Sequence, residues 1–511
     1  MPQNVEGAGI DPSKLVFESV WTRRKILISY WVVVVLALPL WWKITSIDRL
    51  SLPGARVHSL DGKELHFPVT VTVDDLPATE QKSLISEFSN SLQHHIRNQG
   101  LAVEVTTSNH VPTTGPGHYR VLSKPNKGDW TLNGRDLTVD ASALQNPHQL
   151  SETMGKLLAP YNFRSANETH RVVKYAPRFR LAFTLLNEDT SSGNAAISWE
   201  VEEATRKYLE PTLNRLSVLH NFTVESQVQF HAPLAFAPRA LGEDSQAEHG
   251  LTQEDLTVFI NSAEWTLSSS VSNDPVLHFV LFVPSSKHSP LYILDSQGAP
   301  TSSDAFILPQ WGGIIILDKP AHHLTAPLLA HPFAIIQQQL LSLLGVPSLP
   351  PGVAFNGPEP FSDWQLDALV RHRAQENLVN TRETLSSIVA LVKQIDNMPV
   401  GRDVRDDVQD SLTALESSVA IARSSSMAAL QFSSKALTLA SRAFFNPGML
   451  ALLYFPAEHK YAVYTPLFAS VAAPLVAAVL REVAAWRKQR KTAAAAAAGG
   501  VQPAAARDKV D

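Results

Sequence analysis

Two long apolar stretches lie near opposite ends of the chain. Residues 26–42 carry no charge and follow Arg23, Arg24 and Lys25, whereas residues 461–480 are uncharged and precede a second basic cluster. At about 1.5 Å per residue, roughly twenty residues cross the ~30 Å hydrocarbon core of a membrane. The pattern therefore predicts one transmembrane helix at each end, over residues 26–42 and 461–480.

Each stretch has one alternative interpretation. The first could be a cleaved signal peptide, but its apolar run is long, ends in two tryptophans and lacks a small-x-small cleavage site. The second could be a buried core helix, but it contains Pro466 and Pro474. Proline kinks soluble helices and is better tolerated in membrane helices, so we interpret both stretches as membrane spans.

The basic flanks predict the orientation of the two spans. Basic residues favour the cytosolic side, so residues 1–25 form a cytosolic N-terminal segment. The bulk of the chain, residues 43–460, then lies in the lumen. Residues 481–511 return to the cytosol as a basic tail, and the alanine-rich and glycine-rich sequence after Lys491 predicts that this tail is disordered.

Two acceptor patterns for N-glycosylation lie in the part predicted to be lumenal. They are Asn167-Glu168-Thr169 and Asn221-Phe222-Thr223. Such tripeptides are modified only in a secretory compartment. We therefore predict glycosylation of Asn167 and Asn221.

Residues 43–360 alternate between strand and helix patterns. The stretch PVTVTVDD alternates valine and threonine, a helical stretch follows over about residues 79–97, and a short strand covers residues 101–106. A hairpin turn is predicted at Asn133-Gly134, although residues 106–155 as a whole give no clear fold. The alternation predicts an α/β domain with a mixed sheet.

The later strands of this domain have stronger patterns. In RFRLAFTLLN, Phe179, Leu181, Phe183 and Leu185 share one face, and a predicted helix over about residues 196–219 precedes the alternating stretch FTVESQVQF. The stretches VLHFVLFVP and GGIIILDKP are continuous apolar runs, typical of strands that are covered on both faces. These two are therefore predicted to be central in the sheet.

The pattern changes to helical spacing in residues 361–460. Apolar residues recur at intervals of three, four and seven up to Ile395 and again from Val404, with a break at Asn397-Met398-Pro399. This predicts two long antiparallel helices. The membrane-proximal segment after them is aromatic and fits either a membrane interface or a partner subunit; its aromatic residues are Phe444, Phe445, Tyr454 and Phe455.

Composition excludes several classes of function. The chain has no cysteine, which excludes cysteine nucleophiles, thiolate zinc sites and redox pairs. A formal net charge of -5 gives no basic surface for nucleic acid. We find no phosphate-binding loop, dinucleotide motif, HExxH or GxSxG motif in the sequence, and no cofactor is expected.

A few polar residues remain candidates for chemistry. Glu200 and Glu203 could act as acid and base in a cleft, but they also fit the solvated first turn of a helix. The histidines could bind a metal or transfer protons, yet adjacent side chains seldom converge on one ion; they are His94, His95, His322, His323 and His331. We predict no catalytic and no metal-binding residue.

Several stretches together resemble the PIG-S family. They are LPLWWKITSIDRLSLP, YAPRFRLAFTLLNED, WEVEEATRKYLEPTLNRLSVLHNFTVESQV, FILPQWGGIIILDKP and FFNPGMLALLYFPAEHKYAVYTPLF, in this order along nearly the whole chain. The matched residues Trp311, Gly312 and Gly313 fit a turn with close backbone approach better than a substrate contact.

The resemblance implies a function. Proteins of this family are a subunit of the glycosylphosphatidylinositol (GPI) transamidase of the endoplasmic reticulum membrane, an enzyme that joins precursor proteins to a GPI lipid. The resemblance implies that this chain has a non-catalytic role in assembly and in substrate or lipid handling. It also implies that the nucleophile lies on the PIG-K subunit and that PIG-T, PIG-U and the GPAA subunit are further partners. Two rival hypotheses are a membrane-anchored lumenal hydrolase, using Glu200, Glu203 or a histidine, and an independent lumenal chaperone.

Overall fold

The computed structural model describes residues 19–45, 49–74, 81–96, 100–107, 115–124, 128–242, 248–267, 272–395, 398–450 and 457–498. The chain divides into two compact units. The smaller unit contains Met1–Leu52, Ala390–Arg405 and Phe445–Asp511, and the larger unit contains Pro53–Val389 and Asp406–Phe444.

The strands of the described residues all lie in the larger unit. They are β1 (Phe67–Val73), β2 (Leu101–Thr107), β3 (His118–Lys124), β4 (Trp130–Asn133), β5 (Asp136–Asp140), β6 (Arg178–Asn187), β7 (Ser198–Trp199), β8 (Asn221–Gln229), β9 (Arg239–Ala240), β10 (His249–Leu251), β11 (Val276–Val283), β12 (Leu291–Ile293), β13 (Ala305–Leu308), β14 (Gly312–Ile316), β15 (His323–Leu324) and β16 (Val353–Phe355).

The helices range from single turns to more than ten turns. They are α1 (Val20–Thr45), α2 (Gly54–His58), α3 (Gln81–His95), α4 (Ala141–Leu144), α5 (Pro147–Leu158), α6 (Ala166–Arg171), α7 (Val201–Ala204), α8 (Glu210–Leu216), α9 (Gln253–Thr257), α10 (Ala330–Leu343), α11 (Asp363–Gln394), α12 (Arg402–Ile421), α13 (Ser426–Phe444), α14 (Pro447–Leu450) and α15 (Ala457–Ala498).

The first sheet has the strand order β16-β4-β5-β3-β1-β2. Strands β1, β2, β3 and β5 pair in parallel, whereas β4 pairs with β5 in antiparallel orientation, so the sheet is mixed. The unit β1-α3-β2 confirms the predicted strand, helix and strand. The hairpin predicted at Asn133-Gly134 joins β4 to β5, and Gly134 has the positive φ of 55° that such a turn requires. Apolar residues from β1, α3 and α5 belong to the hydrophobic core that packs on this first sheet.

The second sheet has the order β13-β14-β11-β6-β8 and is also mixed, because β13 alone is antiparallel to its neighbour. Strands β11 and β14 are interior, as their continuous apolar sequences predicted. Strand β6 is buried on both faces rather than one, because Phe183 stacks on Phe333 of α10 while Leu186 joins a cluster with Phe259 and Phe282. The sequence predicted one mixed sheet, whereas the described residues form these two large sheets and two small ones, β12-β10-β9 and β15-β7.

The helix predicted over residues 196–219 begins later than expected. Ala196 lies outside any helix or strand, and the side chain of Asn187 binds its main chain, donating from Nδ2 to the Ala196 carbonyl and accepting from its N–H, each at 2.8 Å. Strand β7 follows, and helix starts at Val201, continues through one π turn at Thr205–Leu209 and ends with α8. The side chain of Asn187, nine residues earlier in the chain, thus binds a segment that the local pattern predicted to be helical.

The helical region contains the two predicted long helices, α11 and α12, and a third helix, α13. Helices α12 and α13 are antiparallel: Ser411 Oγ donates to the Ala436 carbonyl and Ser418 Oγ to the Ala429 carbonyl, both at 2.8 Å. The small residues along this contact let the two backbones approach closely.

The predicted spans both lie within longer helices of the smaller unit. Helix α1 contains residues 26–42, and α15 contains residues 461–480 but runs on to Ala498. Residues 481–498, predicted to belong to a disordered tail, are helical, because alanine has the highest helix propensity. Residues 499–511 lie outside the described residues.

Candidate functional site

The two apolar helices are exposed along their lengths. Val20–Trp41 and Ala462–Ala495 are each long and apolar enough to cross a membrane, and neither is buried inside the protein. A core helix of a soluble domain would be covered on most faces. The alternative of a buried core helix for residues 461–480 is therefore wrong.

The two helices contact each other in antiparallel orientation within the smaller unit. At one end Glu482 pairs with Arg23 at 2.9 Å and with Arg24 at 2.5 Å. At the other end the ring of Trp41 makes edge contacts with Tyr464 and Phe468, at centroid distances of 5.6 and 5.0 Å. Ion pairs and aromatic contacts thus hold the pair at both ends.

Glu200 lies close to a serine and a histidine. His323 on β15 approaches Glu200 Oε1 with Nε2 at 3.4 Å, and its Nδ1 lies 2.7 Å from Ser198 Oγ on β7. The two short strands pair in parallel and bring these residues together. Serine, histidine and glutamate are also the residue types of a nucleophile, base and orienting acid.

The surroundings of this trio favour a structural role. The side chains of His323 and Glu200 are 53% and 39% exposed, so water reaches the groups that a hydrolase would shield. The N–H of Ala326 donates to Glu200 Oε2 at 2.8 Å and, with a smaller contribution from His323, lowers the pKa of Glu200. The carboxylate therefore ties the start of α7 to the segment before α10.

The other candidate residues are dispersed. Glu203 is exposed on α7, and His331 contacts Asp304 at 3.6 Å on the surface. The carbonyl of His322 accepts from the N–H of Ile197 at 2.7 Å. Rings of His94 and His95 meet edge to face at the end of α3. Among the described residues, no three histidine or acidic side chains form a group that could hold a metal ion.

Trp311, Gly312 and Gly313 shape the start of β14. A Cβ on Gly312 would lie 1.9 Å from the carbonyl oxygen of His278, and one on Gly313 would lie 2.0 Å from Gln339 Oε1. Trp311 stacks on the ring of His278 at 4.6 Å. Close backbone approach, the interpretation favoured from the sequence, therefore explains Gly312, whereas Gly313 leaves room for the side chain of Gln339.

The two glycosylation candidates lie on different elements of the larger unit. Asn167 belongs to α6, whose first turn is capped by Ser165 and Glu168 in a reciprocal arrangement. Asn221 is exposed at the first residue of β8. Modification of either asparagine stays a prediction.

The aromatic segment is only partly described. Phe444 ends α13 and is half-buried, and Phe445 is 72% exposed. Tyr454 and Phe455 lie outside the described residues. The expectation that the segment contacts a membrane or partner stays a prediction.

A buried polar cluster connects α11 to the first sheet. Asp367 accepts hydrogen bonds from Tyr119 Oη at 3.0 Å and from Arg135 Nε and Nη2 at 2.8 and 2.9 Å. Arg371 donates to the same tyrosine oxygen at 2.9 Å and to the Leu158 carbonyl at 3.2 Å. Burial raises the pKa of Tyr119. We call Tyr119, Arg135, Asp367 and Arg371 the Asp367 cluster.

Neighbouring residues of α11 bind the segments around the second sheet. Arg373 is 1% exposed, and its Nη2 donates to the carbonyls of Leu344 and Val173 at 2.9 and 3.2 Å. Asp363 accepts from Arg215 of α8 at 2.7 Å. Helix α11 thus fastens both sheets to one element.

The PIG-S family model, described as phosphatidylinositol-glycan biosynthesis class S protein, matches residues 28–489. The chain belongs to the PIG-S family. The resemblance noted in the sequence is therefore confirmed.

Relatives of this PIG-S family member match over most of their lengths. The human protein named GPI-anchor transamidase component PIGS is 30% identical over 543 residues, covering 92% of this chain and 97% of the relative. A rat protein of the same name is 30% identical over 546 residues, with 93% and 98% coverage. The GPI transamidase component PIG-S homolog of Schizosaccharomyces pombe is 26% identical over 500 residues, with 92% and 85% coverage.

Sequence reasoning missed the Asp367 cluster of this PIG-S family member. Asp363, Asp367 and Arg371 are four residues apart and therefore share one face of α11. This spacing could have indicated the cluster from the sequence, because charged residues on the core side of a helix need buried partners of opposite charge or hydrogen-bonding groups. The partners Tyr119 and Arg135 lie in a segment whose fold the sequence did not reveal.

Proposed function

We propose that this chain is a non-catalytic subunit of the GPI transamidase in the membrane of the endoplasmic reticulum. It supports assembly and substrate or lipid handling while GPI anchors are attached to precursor proteins. The observation that carries the proposal is the family match over residues 28–489, together with relatives named as components of this enzyme. Its expected partners are PIG-K, PIG-T, PIG-U and the GPAA subunit.

Two features of the chain support a role without catalysis. It contains no cysteine, so a cysteine nucleophile must come from another subunit, which the family resemblance assigns to PIG-K. At Ser198, His323 and Glu200, where serine, histidine and glutamate meet, the histidine and the glutamate are exposed to water, and the same is true of His148 and Glu87 beside Ser91. A membrane-tethered hydrolase is therefore less well supported.

Membrane anchorage gives a physical reason for such a subunit. A domain held at both ends by membrane spans stays in one plane with other anchored subunits, which raises their effective concentration. Interfaces of modest area are then sufficient for assembly. The hydrogen bonds of α11 to the first sheet and to the segments around the second would help to keep the binding surfaces in fixed positions.

Copurification tests the proposed function. A tagged chain, extracted in mild detergent, should recover the catalytic subunit and the other subunits in a fixed ratio. Cells that lack the chain should lose GPI-anchored proteins from their surface and regain them when the chain is restored. A chain that purifies without these subunits, while cells lacking it keep normal anchoring, would contradict the proposal.

The exposed trio gives a separate test of the hydrolase alternative. We expect Ser198→Ala, His323→Ala and Glu200→Ala each to leave GPI attachment within about twofold of wild type, because solvated surface interactions contribute little. Flow cytometry of a GPI-anchored reporter in cells lacking the native protein measures this. Glu202→Ala, which is exposed on α7 and is not one of the candidate residues, is the matched surface control. Abolished attachment at normal protein level and normal assembly for any of the three would favour an enzyme.

The proposed orientation places both termini in the cytosol and the larger unit in the lumen, following the basic flanks. In sealed microsomes, protease should remove tags from both termini and leave the larger unit intact. Asn167→Gln and Asn221→Gln should each abolish one glycosidase-sensitive shift in mobility, with Asn162→Gln, which is outside any acceptor pattern, as control. Protection of either terminal tag would exclude the two-span orientation.

A further inference from the structure

An apolar groove of about 530 Å³ lies between α1 and α15. Its walls come from one face of α1 and from a single turn of α15; they include Leu27, Trp31, Val32, Leu36, Val479 and Val483. Arg24 and Glu482, which pair with each other, lie at one end. The volume falls within the roughly 300–1,000 Å³ of ligand pockets.

The groove occupies only one half of the helix pair. Leu27 and Leu36 are separated by about 14 Å along the helix axis, which is close to half of a hydrocarbon core of roughly 30 Å. Toward the other end, Trp41 packs between Tyr464 and Phe468. The groove therefore lies toward the Arg24–Glu482 end of the helix pair, away from the Trp41 contacts.

The end beside Arg24 is strongly basic. Among the described residues of this end, the acidic side chain is Glu482, whereas the basic residues are Arg23, Arg24, Lys25, Arg481, Arg487, Lys488, Arg490 and Lys491. Two arginines share the one carboxylate, so a positive excess remains. Lys25 and Arg490 lie over the rings of Trp21 and Trp486, residues typical of the membrane interface.

We propose that this groove binds one anionic glycerophospholipid. Its phosphate group lies beside the basic residues, and an acyl chain extends from Leu27 toward Leu36. An apolar helix of a partner would match neither the positive charge nor a groove that is one leaflet deep. The inference rests on the proposed membrane spans, and on that orientation the lipid belongs to the cytosolic leaflet, where anionic lipids attract basic segments.

Native mass spectrometry of the full chain in an uncharged detergent tests the proposal. With phosphatidylserine and phosphatidylcholine of equal chain length and concentration, we expect the phosphatidylserine adduct to exceed the other at least about fivefold. Replacing Arg481, Arg487 and Lys488 together by Gln should abolish this preference. Replacing Lys43 and Lys460 by Gln, at the opposite end of the helix pair, should preserve it.

A second pair of variants tests the groove without changing charge. Val32→Trp should fill the groove and lower the bound phosphatidylserine at least about fivefold. Val33→Trp is the matched control, because Val33 is 65% exposed and does not line the groove. Equal adducts of the two lipids in the wild type, or equal losses in both tryptophan variants, would overturn the proposal.

Two further outcomes separate this inference from the proposed function. A lipid adduct on the isolated chain that disappears in the assembled complex would assign the groove to a partner helix and overturn the inference alone. A lipid adduct that persists while no transamidase subunit copurifies would support the inference and contradict the proposed function. A chain that stays in solution without detergent would overturn the membrane spans and the inference with them.

Discussion

Replacing Asp367 by alanine should lower the free energy of unfolding of the larger unit by about 3–5 kcal/mol. Its carboxylate accepts from Tyr119 and Arg135 and lies beside the buried Arg371. Removing it leaves positive charge in the interior without a partner, which costs more than the lost hydrogen bonds. Thermal unfolding of the purified chain, followed by circular dichroism, measures the effect.

Asp136→Ala is the control for this prediction. Asp136 also pairs with an arginine, Arg120 at 2.5 Å, but its side chain is 33% exposed. Water screens such a pair, and its loss should cost at most about 1 kcal/mol. Equal losses for Asp367→Ala and Asp136→Ala would show that the Asp367 cluster does not stabilise the fold.

Gly312→Ala should lower the free energy of unfolding by at least about 3 kcal/mol, a large part of the stability of a typical domain. The added Cβ would lie 1.9 Å from the carbonyl oxygen of His278 and within 2.8 Å of its main-chain nitrogen. Strand β14 would have to separate from β11 in the interior of the second sheet. We expect loss of soluble protein and rapid cleavage in limited proteolysis.

Two other glycines provide a graded comparison. Gly313→Ala meets the amide end of the Gln339 side chain rather than backbone, so a rotation of that side chain relieves part of the clash. Gly242→Ala meets no atom within 4 Å and should change stability by less than about 0.5 kcal/mol. We expect the loss of stability to be largest for Gly312→Ala, smaller for Gly313→Ala and smallest for Gly242→Ala. Any other order would exclude close backbone approach as the cause of the loss at Gly312.

Features encoded in local pattern were predicted from the sequence. The long helices α11 and α12, the interior strands β11 and β14 and both apolar helices each have a distinctive run or spacing of apolar residues. Such patterns predict the element correctly because a continuous apolar stripe or run is buried whichever element covers it.

Features that depend on distant partners were not predicted. Strand β16 is three residues long and completes the first sheet by pairing with β4, and nothing in Val353–Phe355 indicates which of the two sheets it joins. Ala196, predicted to be helical, instead binds the side chain of Asn187 through its main chain. For the candidate site, the spacing of Asp363, Asp367 and Arg371 was visible in the sequence, but their partners were not.

The Asp367 cluster has a consequence for biosynthesis. Tyr119 and Asp367 are 248 residues apart in the chain. At about 5–20 residues per second, the ribosome needs roughly 10–50 s to make that interval. During this time Tyr119 and Arg135 are already synthesised, but Asp367, whose carboxylate later accepts their hydrogen bonds, is not. The residues of the second sheet are synthesised in the same interval. We therefore expect the first sheet to be completed late in translation, and the nascent protein to need chaperones for longer than a chain built of two consecutive domains.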